Sequence, residues 1–102
     1  MSLIVIDTSA VLAALAGGSA AHPVRARMSD AGSLHAPHLL DVEFLHALRG
    51  LVHGGKLALD RAQDARTDFA DLNITRYPVA GLADRIWALR NNVSAYDACF
   101  VA

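Results

Sequence analysis

The sequence predicts an α/β domain with a mainly parallel β-sheet flanked by helices. Short apolar segments with strand character alternate with longer segments of helical periodicity, in the order strand, helix, helix, repeated three times. Alanine and leucine dominate the composition and only three prolines interrupt the chain, which favours helices with a few short strands over an all-β fold. Helical crossovers between successive strands make those strands parallel.

Length and composition limit the possibilities further. The 102 residues are 54% hydrophobic, which fits a single domain over residues 1–102 with a real core. No apolar run is long enough to cross a bilayer and no basic segment precedes residues 3–6, so we expect a cytoplasmic protein without a membrane partner. The single Cys99 predicts a buried, reduced thiol. Because the net charge is −1, any polyanion must be bound by local groups of basic residues.

The first strand, residues 3–6, ends in a carboxylate and two hydroxyl residues. Its four consecutive β-branched or leucine side chains predict a strand covered on both faces. Asp7 follows directly, and Thr8 or Ser9 can cap a helix over residues 9–16. Ligands of open α/β sheets bind at the carboxyl ends of the strands. Asp7 is therefore either a site residue or a simple helix cap.

The remaining elements are bounded by glycine and proline signals at helix ends and starts. The long helix over residues 37–53 has a wide apolar side, and the helix after it has an inward stripe that ends at Phe69 and Leu72. Trp87 is expected beside the inner side of its helix. The predicted elements are a helix over 20–28, a strand over 33–36, a helix over 37–53 opened by Pro37, a helix capped by Asp60, a strand over 74–77, and helices over 81–90 and 94–102.

Two further carboxylates are candidate site residues. Glu43 lies among apolar neighbours in the long helix, so it faces either a polar partner or solvent. Asp41 is explained by the favourable interaction of an acid with the start of a helix. Asp97 stands three residues after Ser94, and Ser-x-x-Asp at a helix start is typical of a capping box as well as compatible with a site.

Asp7, Glu43 and Asp97 could converge on one sheet edge. Clustered carboxylate oxygens suit hard divalent cations, which activate water and stabilise charge on a phosphodiester. His46 and His53 share a helix face at a seven-residue spacing, and His35 and His38 are three residues apart. Neither pair predicts a zinc site, because such sites need a third and fourth ligand. No glycine-rich phosphate loop follows Asp7.

Three segments together resemble the PIN-domain family, specifically its VapC-type toxin ribonucleases: Val5-Ile6-Asp7-Thr8-Ser9-Ala10, then Glu43 followed by Leu48-Arg49, then Ser94-Ala95-Tyr96-Asp97-Ala98. The resemblance implies a PIN-like three-layer sandwich and a divalent-metal-dependent endoribonuclease, the toxin component of a type II toxin–antitoxin system. It implies that Asp7, Glu43 and Asp97 bind Mg²⁺ or Mn²⁺ and are catalytic. Ser9 matches a hydroxyl position that supports the first acid, and Thr8 and Ser94 are further candidates for supporting groups.

The resemblance also implies an RNA substrate, a cognate antitoxin protein and a homodimer, and it leaves the RNA-binding residues unknown. The family has a further strand with another site acid after the last helix, and this sequence stops before it. We therefore expect a domain whose C-terminal part is missing. The alternative function is a catalytically impaired PIN scaffold that acts as a protein-interaction module.

Overall fold

The computed structural model describes residues 3–101 and contains one three-stranded parallel sheet. Its strands are β1 (Leu3–Val5), β2 (Ser33–Pro37) and β3 (Ile74–Tyr77), in the order β1-β2-β3. Leu3 pairs with Ser33, and Pro37 pairs with Tyr77, so the carboxyl ends of all three strands meet at one edge. The predicted parallel sheet is confirmed.

Six α-helices connect and follow the strands. They are α1 (Thr8–Ala16), α2 (Ala21–Asp30), α3 (Leu39–His53), α4 (Leu59–Asp71), α5 (Ala83–Ala88) and α6 (Ala95–Val101), with 3₁₀ turns at Gly18–Ala20 and Val79–Leu82. This order confirms the predicted α/β alternation. None of the helices in the described part of the chain is long and apolar enough to span a membrane.

The core lies between one face of the sheet and helices α1, α3 and α4. Val11, Leu40 and Phe44 are its largest fully buried side chains. The rings of Phe44 and Phe69 stack with centroids 4.3 Å apart, which joins α3 to α4. Burying each such ring stabilises the fold by about 1.5 to 3 kcal/mol. The predicted inward stripe of α4 is confirmed, since Ala62, Ala65 and Phe69 are buried.

Strand β1 departs from its prediction, because it is not covered on both faces. Leu3 is 63% exposed and Val5 is 52% exposed, whereas Ile4 packs against the core. Successive side chains of a strand point to opposite faces, so Leu3 and Val5 share the second face of the sheet. On that face Cys99 and Phe100 of α6 line a cavity with Val5 and leave much of β1 open.

Two predicted helix starts were wrong. Pro37 does not open α3 but ends β2, because the chain stays extended until the amide of His38 donates to the carbonyl of Tyr77 at 3.0 Å. Asp60 is not the N-cap of α4, since Ala58 is at that position. Asp60 lies in the first turn, where its carboxylate accepts from the amide of Arg61 at 2.8 Å.

The second half of the chain contains shorter helices than the sequence predicts. The segment 81–90 is α-helical only over Ala83–Ala88, and α6 begins at Ala95 rather than at Ser94. Trp87 is not on an inner side, since it is 68% exposed with the guanidinium of Arg90 over its ring. Within α3, Val42 is 66% exposed, so the apolar side of that helix is only partly buried. The predicted end of the last helix, Ala102, lies outside the described residues.

Candidate active site

Asp7 stands at the carboxyl end of β1, where it caps α1. Its Oδ1 accepts a hydrogen bond from the amide of Ala10 at 2.9 Å, and Ile6 beside it is buried in the core. The cap uses only one of the two carboxylate oxygens, and the residue is exposed. Asp7 is therefore a helix cap whose second oxygen takes no part in the cap, so the two alternatives raised by the sequence do not exclude each other.

Glu43 is joined to the start of α1 through Thr8. The hydroxyl of Thr8 donates to Oε1 of Glu43 at 3.2 Å. Glu43 is half-buried in α3, beside the fully buried Phe44. The Glu43 carboxylate therefore has a polar partner, and that partner is the residue that follows Asp7.

The last helix, α6, carries both Asp97 and the single cysteine of the chain, Cys99. Cys99 is a free, buried thiol, as predicted from its apolar surroundings. Burial raises the pKa of the Cys99 thiol, and the negative charge of Glu43 raises it further. The thiol stays protonated at neutral pH, which argues against a role for it as a nucleophile.

Asp97 lies two residues before Cys99, in the first turn of α6. The backbone amide of Asp97 donates to Oγ of Ser94 at 3.2 Å, so Ser94 caps the helix. Within residues 3–101 the carboxylate of Asp97 accepts no hydrogen bond, so only the serine half of a capping box is formed. Asp97 is exposed, and its carboxylate is available to a ligand.

Of the six predicted site residues, three are linked to one another: Asp7, Thr8 and Glu43. Thr8 contacts Glu43, and Asp7 precedes Thr8 in the chain. Ser94 contacts the backbone of Asp97, while Ser9 makes no side-chain hydrogen bond among the described residues. Over residues 3–101 no three His, Cys, Asp or Glu side chains lie together as a formed metal-binding group. The structure therefore does not bring Asp7, Glu43 and Asp97 together into one group of acids.

Asp41, the other acid near the start of α3, is used elsewhere. Its carboxylate receives two hydrogen bonds from Arg76 of β3, at 2.7 Å and 3.0 Å. From the sequence, the acid at position 41 was explained by its interaction with the start of the helix, and Arg76 was not identified as its partner. Because α3 and β3 are separated in the chain, no local pattern could have predicted this ion pair.

The histidines near the sheet form no metal-binding group in the described part of the chain. His35 lies between two hydroxyl groups, with Ser33 Oγ 2.7 Å from its Nε2 and Tyr77 OH 2.6 Å from its Nδ1. Its ring also stacks on that of Tyr77. His35 thus connects β2 to β3 on the second face of the sheet.

One basic residue that the sequence did not single out shares a cavity with Asp7. Arg27, in the last turn of α2, lines a cavity of about 380 Å³ together with Asp7 and side chains of β1. From the sequence Arg27 was one of several scattered basic residues. Only the packing of α2 against α1 brings it to the cavity beside β1.

Comparison with known proteins adds to this geometry. A model of the PIN domain family matches residues 4–102. The VapC ribonuclease Mb0985 of Mycobacterium bovis is 44% identical over 100 residues, which cover 98% of this chain and 76% of the relative. Ribonuclease VapC1 of Mycobacterium tuberculosis is 41% identical over 96% of this chain and 74% of its own length. Ribonuclease VapC3 of the same species is 30% identical over 96% of this chain and 72% of its own length.

Proposed function

This chain belongs to the PIN domain family, and we propose that it is a ribonuclease that hydrolyses RNA phosphodiester bonds as the toxin of a toxin–antitoxin pair. The observation that carries the proposal is the alignment of 98% of the chain, at 44% identity, with a protein named as a ribonuclease. The carboxylates of Asp7 and Glu43, linked at the sheet edge through Thr8, support it.

Asp7, Glu43 and Asp97 would hold a Mg²⁺ or Mn²⁺ ion. The donor set fits these ions, because it consists of carboxylate oxygens and because two of the three residues are exposed. Mg²⁺ keeps several water ligands and takes only one or two carboxylates directly, so an open edge is sufficient. When bound, such an ion lowers the pKa of a water molecule and neutralises charge that develops on the phosphodiester.

The protein's own groups hold the carboxylates in position. The amide of Ala10 fixes one oxygen of Asp7, and the hydroxyl of Thr8 fixes one oxygen of Glu43, so each acid keeps its other oxygen for a ligand. Ser94 fixes the backbone at Asp97 and leaves the whole carboxylate of that residue free. Because the edge is exposed rather than enclosed, a polymer such as RNA can reach it.

A cognate antitoxin and a second copy of the chain are the proposed protein partners. Large exposed apolar side chains support them, since exposed apolar surface is a common feature of protein interfaces. They include Leu3, Val5, Trp87, Tyr96 and Val101. The alternative of an impaired scaffold is not favoured, because the relatives that align with nearly the whole chain are named as ribonucleases.

Cleavage of single-stranded RNA, measured with Mg²⁺ or Mn²⁺ and again with chelator, tests the proposal. Asp7→Asn and Asp97→Asn should each lower the cleavage rate by about tenfold or more, because each removes a full charge from the ion site. Both variants should fold normally, since Asn retains an acceptor for the Ala10 amide and the Ser94 bond uses only the backbone of Asp97.

Asp64→Asn is the matched control, because Asp64 is an exposed acid on α4, outside the candidate site. Its cleavage rate should equal that of the wild type. Adding Mg²⁺ should raise the melting temperature of the wild type and of Asp64→Asn more than that of Asp97→Asn. Cleavage that persists in chelator, or Asp7→Asn activity equal to that of the control, would show that the proposed site is wrong.

A further inference from the structure

A cavity beside β1 brings a basic residue to the candidate site. The cavity of about 380 Å³ is lined by β1, α1 and α2. Two of its lining residues are charged, Asp7 at the end of β1 and Arg27 in the last turn of α2, and the others are apolar. A carboxylate proposed to bind a cation and an arginine therefore share one opening at the sheet edge.

Among the described residues, the guanidinium group of Arg27 is open to an anion. Arg27 is exposed, and within residues 3–101 its side chain makes neither an ion pair nor a hydrogen bond. Other arginines are occupied: Arg25 donates to the carbonyl of Ala14, Arg76 donates to Asp41, and Arg90 donates to the carbonyl of Trp87. Arg49 and Arg66 line a different cavity, between α3 and α4.

Because the whole chain has little net charge, binding of the proposed RNA substrate requires a local basic residue. With a net charge of −1, the protein has no overall field that attracts RNA, so local cations must bind the strand. A guanidinium group suits this role, because its planar fork donates two hydrogen bonds to one phosphate. The apolar walls of the cavity provide a surface against which a ribose or base can pack.

We propose that Arg27 binds a backbone phosphate of the RNA strand on the Asp7 side of the candidate site. The inference rests on the proposed ribonuclease function and deepens it by assigning an RNA-binding residue. Arg27 touches the substrate through a phosphate that does not react, so its contribution is to binding and to the register of the strand. Phosphate contacts carry no base information, and Arg27 therefore binds strands of any sequence alike.

Binding of a fluorescent, single-stranded RNA of randomised sequence, measured by anisotropy in chelator over a range of salt, tests the proposal. Loss of one phosphate contact reduces the slope of log affinity against log salt by about 0.7 for single strands. Arg27→Gln should show this reduction and should bind RNA about fivefold more weakly at about 0.1 M salt. Arg27→Lys keeps the charge, so it should retain the slope and lose less affinity.

Arg61→Gln is the matched control, since Arg61 is an exposed arginine on α4, far along the chain from β1 and α2. It should bind RNA like the wild type. An arginine in the last turn of a helix also interacts favourably with the helix dipole. If that were the only role of Arg27, Arg27→Gln would lower the melting temperature and leave RNA affinity and salt slope equal to those of Arg61→Gln, which would overturn the proposal.

Cleavage by the same proteins separates this inference from the proposed function. If the wild type cleaves RNA but Arg27→Gln and Arg61→Gln bind RNA equally well, only the proposed role of Arg27 is overturned. RNA binding that depends on Arg27, without cleavage in any divalent ion, supports Arg27 and overturns the ribonuclease. A wild-type protein that neither binds nor cleaves RNA overturns both.

Discussion

The hydroxyl group of Thr8 joins the start of α1 to Glu43 of α3. Thr8 follows Asp7 in the chain, and its side chain donates to Glu43, which lies 35 residues away. A carboxylate on a helix has several rotamers, and a hydrogen bond to one oxygen selects among them and fixes the direction of the other. Thr8 therefore positions Glu43 without needing to touch a substrate.

Replacing Thr8 by Val keeps the shape of the side chain and removes the hydroxyl. We expect RNA cleavage to fall by about ten- to a hundredfold, the usual cost of losing a group that orients a metal ligand. The free energy of unfolding should fall by only about 1 kcal/mol, because one partly buried hydrogen bond is lost. Cleavage kinetics and denaturant unfolding of the same protein separate the two effects.

Thr67→Val provides the comparison for Thr8→Val. The hydroxyl of Thr67 donates to the carbonyl of Gln63 on the exposed surface of α4, so the same chemical change is made away from the site. Cleavage by Thr67→Val should equal that of the wild type. If both variants cleave RNA equally well, the hydrogen bond between Thr8 and Glu43 has no functional importance.

At the scale of elements, the ion pair between Arg76 and Asp41 fastens β3 to α3. Both oxygens of Asp41 accept hydrogen bonds from the guanidinium group, and the same group lies over the ring of Phe69. Arg76 therefore contacts α3 and α4 from the edge strand of the sheet. Because both oxygens of Asp41 are bonded to Arg76, Asp41 is not a candidate metal ligand, although it lies only two residues before Glu43 in α3.

A double-mutant cycle with Asp41→Asn, Arg76→Gln and the double variant tests whether the ion pair holds β3 against α3. We expect a coupling of about 0.5 to 1 kcal/mol in the free energy of unfolding, because both side chains are partly exposed and water screens the pair. Asp41→Asn should retain RNA cleavage, unlike Asp7→Asn. A coupling of zero, or loss of cleavage in Asp41→Asn, would contradict this assignment.

At the scale of the whole molecule, the fold and the candidate site depend on different forces. Among the described residues no polar or charged residue is buried, and the core consists of aliphatic and aromatic side chains from the sheet and helices. The carboxylates lie outside this core: Asp7 follows β1, Glu43 is in the second turn of α3, and Asp97 is in the first turn of α6. Hydrophobic burial therefore stabilises the fold, and an ion at the edge would add only its binding energy.

Removal of divalent ions should leave the fold intact. Circular dichroism in chelator should match that of the protein in Mg²⁺, because no part of the core needs an ion. Excess Mg²⁺ should raise the free energy of unfolding by about 2.7 kcal/mol at a hundredfold excess over its dissociation constant. Unfolding on chelation would mean that the ion has a structural role, contrary to the present proposal.

The sequence by itself determined the order of the elements, the parallel sheet and the family. Apolar periodicity and helix-end residues are local signals. Asp7 and Glu43 stood out because they follow or interrupt an apolar pattern, and Asp97 stood out through its Ser-x-x-Asp spacing with Ser94. Helix starts at Pro37 and Asp60 were wrong because a proline can end a strand and an acid can occupy a first turn, and only long-range pairing decides between these possibilities.

Only the tertiary structure decided which groups meet. The contact of Thr8 with Glu43, the ion pair of Arg76 with Asp41, and the position of Arg27 beside Asp7 join segments that are far apart in the chain. The exposure of β1 and of Trp87 is likewise set by what packs against them. Local sequence fixes the conformation of each segment through steric and hydrogen-bonding preferences, whereas contacts between segments depend on how hydrophobic burial brings those segments together.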